Sequence, residues 1–157
     1  MIKIITAPEE EYSLAVQHSW KIFLAGGITN CPDWQSEIIE LIHQKYAAHE
    51  VEVNLTLYNP RRPSFPMDKP EEAERQIVWE YQHLKEADEY IFWFAKGSLN
   101  PIVLYEYGRW VTSSTKSALV GVDPDYERKE DVLVQTALAR PEINIVSSLT
   151  EIVEQIY

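Results

Sequence analysis

The chain has 157 residues, a length that fits one domain around one core. Hydrophobic residues make up 45%, which argues against a disordered chain. A formal charge of −11 argues against nucleic-acid strands and anionic membranes as partners, while a small anionic ligand stays open if a local basic pocket exists.

The elements alternate along the chain. Lys21–Ala25 reads as a buried strand ending at Gly26-Gly27, and about Asp33 to Ala47 follows as a helix, with Trp34, Ile38, Leu41 and Ile42 near 3.6 spacing. Val51–Tyr58 is a second strand, and the segment from Asn59 to Pro66 is a proline-rich loop. Pro70 opens a long helix to about Ala87. Glu89–Ala95 is a third strand, Gly97-Ser98 turns the chain, and Asn100 is an N-cap candidate before Pro101. That helix runs to Ser113-Ser114, Ser117–Val122 is a fourth strand, and a helix spans about Arg128 to Ala139. Ile143–Val146 is a fifth strand and the last helix runs to Tyr157, while Ile2–Ile5 is a candidate edge strand.

Strand then helix, five times, implies a doubly wound five-stranded parallel sheet in three layers, order 2-1-3-4-5, the flavodoxin-like arrangement. In such a sheet, ligands bind outside the carboxyl ends of the strands where the strand order reverses. The expected site therefore lies among Gly26-Gly27, the loop from Asn59 to Pro66, the turn from Lys96 to Asn100 and the loop after Val122.

Glu106 is the most informative residue. At helical spacing it shares a stripe with Ile102, Val103 and Trp110, so a carboxylate interrupts a face directed at the core. It either does chemistry or pairs with Arg109. Glu80 repeats the pattern on the stripe Ala73, Ile77, Glu80, Leu84 and Ala87, with a solvent-edge position as its alternative. Two such carboxylates suggest an acid pair, one attacking and one handling a proton. Gly26-Gly27 lets a ligand approach backbone N–H groups. Gly108, costly inside a helix, suggests close packing on the sheet. Arg61-Arg62 is the only pair of adjacent arginines, either a clamp for phosphate or carboxylate or a loop held by local ion pairs.

Other chemistries lack their residues. There is no Gly-x-Gly-x-x-Gly, no Walker motif and no Gly-x-Ser-x-Gly. His18, His43, His49 and His83 show no metal-ligand spacing, so no metal or cofactor is expected. A single cysteine, Cys31, the absence of a signal-peptide pattern at Met1–Ile5, and a longest apolar run of only Tyr90–Ala95 point to the cytoplasm.

The strand Lys21–Gly27, the loop Asn59-Pro60-Arg61-Arg62, the stretch from Ala87-Asp88 to Phe94, and Glu106-Tyr107-Gly108 together resemble the nucleoside 2-deoxyribosyltransferase superfamily, in its nucleoside 2-deoxyribosyltransferase-like branch. The resemblance covers roughly residues 20 to 157 and implies one such domain over 1–157. It implies that Glu106 attacks the anomeric carbon of a 2′-deoxynucleoside or deoxynucleotide, for transfer or hydrolysis of the N-glycosidic bond. Glu80 falls where the family has an Asp that contacts the base. Asn100 falls on a family Asp that contacts sugar or base, and Asp131 on a polar residue contributed by a neighbouring subunit. Tyr157 matches a terminal aromatic residue. Some superfamily relatives hydrolyse nucleoside monophosphates, which gives Arg61 and Arg62 a reason. The implied partner is a small nucleoside or nucleotide, and the implied assembly is a homo-oligomer. A non-catalytic nucleotide-binding protein is the alternative.

Overall fold

A computed structural model of the chain describes residues 1–9, 19–48, 54–66, 68–113 and 116–156. The elements in order are β1 (Ile2–Thr6), β2 (Trp20–Gly26), α1 (Trp34–Ala48), β3 (Leu55–Asn59), α2 (Pro70–Glu86), β4 (Glu89–Phe94), α3 (Pro101–Ser113), β5 (Ser117–Val122), α4 (Lys129–Ala139), β6 (Ile145–Val146) and α5 (Leu149–Glu154). All strand pairs are parallel, in the order β1-β3-β2-β4-β5-β6. The expected five-strand order stands intact inside a six-stranded sheet. The difference is β1, which pairs in register with β3 from Ile2 opposite Leu55 to Thr6 opposite Asn59. The expected beginning of the second strand, 51–53, and the chain end at Tyr157 lie outside the described residues.

The central strands are apolar on both faces because both faces are covered. β4 is buried along its whole length. Its Tyr90, Phe92 and Phe94 turn to the side of α2, α3 and α4, and its Ile91 and Trp93 to the side of α1 and α5. Each side chain of this size contributes about 1.5–3 kcal/mol when buried. The aromatic residues of β4 are spent on the core. Phe92 and Phe94 meet the Tyr107 ring edge-on, at 5.0 and 5.3 Å between centroids.

Two helix faces differ from the expected stripes. On α2 the buried residues are Gln76, Trp79, His83 and Leu84, while Ala73 is exposed and Ile77 is 65% exposed. The helix is turned because Trp79 and His83 stack on each other at 4.0 Å and the Tyr58 ring meets His83 edge-on at 4.4 Å. Trp79 also donates its indole N–H to the Glu9 carbonyl at 2.7 Å. On α3 the buried line is Val103, Tyr107 and Val111, and Ile102 is exposed. The Tyr107 hydroxyl and Thr136 Oγ1 lie 2.6 Å apart, tying α3 to α4. Gly108 faces open space, not the sheet, so close packing does not explain it.

The end of β2 is crowded. A Cβ on Gly26 would strike the Trp34 ring and the Trp93 carbonyl. That ring cannot easily yield, since Trp34 is buried and its indole N–H donates to the Gly27 carbonyl at 3.0 Å. Gly26→Ala is therefore expected to lower stability in urea denaturation by about 1–3 kcal/mol. An unchanged midpoint would mean that the Trp34 ring moves aside without cost.

Candidate active site

The chain lays β3 on one side of β2 and then crosses to lay β4 on the other. Such a reversal leaves a crevice at the carboxyl ends of the two strands. A cavity of about 420 Å³ opens there. Phe23, Gly26 and Gly27 come from β2 and its exit, Pro60 from the loop after β3, and Ser98 and Asn100 from the loop after β4. Glu80 from α2 and Glu106 from α3 complete the wall. Larger hollows of about 560 and 680 Å³ run along α2, but they lie among its surface residues, away from the strand ends.

Glu80 and Glu106 are the titratable groups of this wall among the described residues. Both are half-buried. Glu106 has no hydrogen bond or ion pair among the described residues. Burial pushes its carboxyl up to about 8, and the negative charge of Glu80 adds to the rise. The expected alternative partner, Arg109, lies over the Tyr81 and Trp110 rings instead, at 5.0 and 5.3 Å. Burial raises Glu80 as well, but a hydrogen bond from Gln76 opposes it. The Gln76 amide nitrogen donates to Glu80 Oε1 at 2.8 Å and to the Pro60 carbonyl at 2.8 Å. Sequence reading missed Gln76. The available signal was its place one turn before Glu80, a spacing at which glutamine and acid side chains meet.

Asn100 is at the cavity but is not a side-chain cap. Its backbone sits at φ 50°, in the left-handed region that asparagine tolerates. Its Nδ2 donates to the Ala95 carbonyl at 3.0 Å, and the Cys31 thiol donates to its Oδ1 at 3.1 Å. The first helical hydrogen bond is made instead by its backbone carbonyl, from Leu104 N–H at 3.1 Å. A Cβ on Gly27 would collide with Asn100 Oδ1 and the Cys31 sulfur. Gly26 is thus required by close packing against α1 and β4, and Gly27 by close packing between the two loops that floor the cavity.

Of the remaining expected site residues, Asn59, Arg62 and Asp131 do not line this wall, and Arg61 reaches only its floor, donating to the Gly27 carbonyl at 3.3 Å. Asn59 is buried at the end of β3, and its Oδ1 accepts from the Arg61 backbone N–H at 2.9 Å. Arg61 staples the loop before α1: it donates to Gln35 Oε1 at 2.7 Å and to the Pro32 carbonyl at 2.8 Å, and its Nε is 3.2 Å from Asp33. Arg62 pairs with Glu72 at 2.7 Å and lies over the Phe65 ring. Asp131 is exposed, lies 3.6 Å from Arg128, and borders a separate groove of about 240 Å³ between α3 and α4. The loop after β5 contributes Asp123 to contacts with Lys96 rather than to the cavity. Among the described residues no group of three His, Cys, Asp or Glu side chains could hold a metal ion, and no helix is long and apolar enough to cross a membrane.

The family model described as nucleoside 2-deoxyribosyltransferase like matches residues 19–126, more than half of the chain. The chain belongs to the nucleoside 2-deoxyribosyltransferase-like family. No curated protein matches it. Every residue that lines the cavity falls inside the family match, and Asp131 falls outside it.

The raised Glu106 carboxyl has a consequence for stability. An ordinary glutamate releases its proton near 4.5, whereas Glu106 in the folded chain holds it to about 8. Between those values the unfolded chain binds fewer protons, so stability falls as pH rises through that window. Glu106→Gln escapes the loss. Above pH 8 it is expected to be more stable than the wild type, by on the order of 2 kcal/mol after discounting for solvent screening. The gap should close towards pH 4.5 in denaturant titrations. Equal stability of the two proteins at every pH would mean that Glu106 ionises as freely as a surface acid.

Proposed function

We propose that this protein cleaves the N-glycosidic bond of a 2′-deoxynucleoside, with Glu106 as nucleophile and Glu80 as the proton carrier. The observation that carries this reading is the meeting of the two acids in one cavity at the strand ends, where Glu106 has no counter-charge among the described residues. A poorly solvated anion is costly beside a neutral ligand. It strongly favours a neighbouring positive charge, such as the oxocarbenium-like centre that forms as the base departs.

The proton can be followed through the cycle. Glu80, favoured as the anion by Gln76, accepts the proton of Glu106. The Glu106 carboxylate then bonds to C1′ while the C1′–N bond breaks, its electron pair leaves with the base, and Glu80 protonates that nitrogen. A second base or water attacks C1′, gives a proton to Glu80 and releases Glu106. Transfer and hydrolysis differ only in this acceptor.

No Lys, Arg or His lines the cavity among the described residues; Arg61 pairs with Asp33 and braces the Gly27 carbonyl, and Arg62 pairs with Glu72. Two acids without a cation favour a 5′-hydroxyl over a 5′-phosphate. One observation favours a second reading, binding without turnover. Asn100 matches the position of a family acid, yet both ends of its amide are held by Ala95 and Cys31.

The test is incubation with deoxynucleosides and their 5′-monophosphates, with and without an acceptor base, read by chromatography of free base. The expected result is base release from nucleosides, reduced roughly a thousandfold or more in Glu106→Ala. Wild-type rates in that variant would remove Glu106 from the chemistry, and tight binding with no base released would support the second reading. The pair must also keep one proton, so kcat/KM should fall as pH rises above about 8. A profile flat from pH 7 to 10 would contradict the shared proton.

A further inference from the structure

Gln76 uses its side chain in an unusual way. It is buried, and its amide nitrogen serves two acceptors at once, Glu80 Oε1 and the Pro60 carbonyl, each at 2.8 Å. Its own Oε1 is buried and has no partner among the described residues. Turning the amide over would give that oxygen no donor and set it against two acceptors, so the orientation is fixed by the two bonds alone. An unmade hydrogen bond at a buried oxygen costs free energy. Here the cost accompanies a double donation to two parts of the cavity wall, since both Pro60 and Glu80 line it.

We propose that Gln76 is the positioning residue of this site, fastening the Glu80 carboxylate to the loop after β3 so that the two acids take different roles. Glu80, pinned to a backbone carbonyl through one amide, is held in one place as the acceptor of a proton. Glu106 receives no such donor. Among the described residues, no charged group other than the two acids lines the cavity. β2 presents Phe23 and Ala25, the loop after β4 presents Ser98 and Asn100, and neither carries a charge. The nearest cation on α3, Arg109, lies over the Tyr81 and Trp110 rings. The direction of the proton relay rests on the N-glycosidic reading above, whereas the fastening of Glu80 is a property of the ligand-free protein.

The experiment is a carbon-detected NMR titration of the glutamate carboxyls without substrate, in the wild type and in Gln76→Met. The Glu80 midpoint should rise by about one pH unit in the variant, because a donor to the anion has been lost. A merely structural glutamine would lower the thermal transition and leave that midpoint where it was. Gln76 is buried, so a second reading needs no variant. In the wild type the Gln76 side-chain amide protons should shift with pH at the Glu80 midpoint. An unchanged Glu80 midpoint in folded Gln76→Met, or Gln76 amide signals that ignore the Glu80 titration, would overturn the proposal. Neither result depends on turnover, so it is separable from the fate of Glu106→Ala in the base-release assay.

Discussion

A carboxyl group withdrawn from water must find a donor, a cation or a proton. Among the described residues, the wall of the 420 Å³ cavity holds two carboxyls, and only that of Glu80 receives a side-chain donor. Gln76 goes to Glu80, and Glu106 is left to keep a proton to about 8. Much of the surrounding structure makes that imbalance persist. Val103 and Tyr107 seat α3 on β4, which aims Glu106 at the strand ends. Trp79 and His83 rotate α2 so that Gln76 faces inward and Glu80 reaches the wall. The basic residues of the neighbouring loop are occupied by Asp33 and Glu72 and do not neutralise the pair.

The loops that floor the site are tied by close packing and side-chain hydrogen bonds. Gly26 lies under Trp34, Gly27 under Asn100, and Asn100 bridges Cys31 and the Ala95 carbonyl. Arg61 adds bonds to Gln35 and Pro32. A reaction that needs an acid within hydrogen-bond reach of a leaving base gains from such preorganisation, because little reordering remains for the substrate to cause.

The sheet was legible because its physics is local. Each central strand is a short apolar run bounded by glycine, proline or asparagine, and helices fill the gaps, so five strands and their order followed. Glu106 was legible for a related reason: an acid among apolar neighbours at helical spacing is visible in one dimension. What escaped depends on partners far apart in the chain. Ile77 and Ile102 looked core-directed by helical spacing, but the bulky Trp79 and Tyr107 decide which side of each helix is buried. Arg61 and Arg62 stand out as neighbours, yet Asp33 and Glu72 meet them only once α1 and α2 are in place. The spacing of Gln76 to Glu80 hints at one of its bonds, but the fastening to the Pro60 carbonyl sixteen residues earlier is visible only in the fold.

The central claim is that Glu106 bonds to a sugar carbon, and a trapped intermediate tests it most directly. A 2′-fluorinated arabinonucleoside slows breakdown of a glycosyl-enzyme, because the fluorine disfavours positive charge at C1′. Digestion and mass spectrometry should then find the fluorosugar on the peptide that contains Glu106. Base release with no adduct there, or an adduct carried by Glu80, would contradict the account.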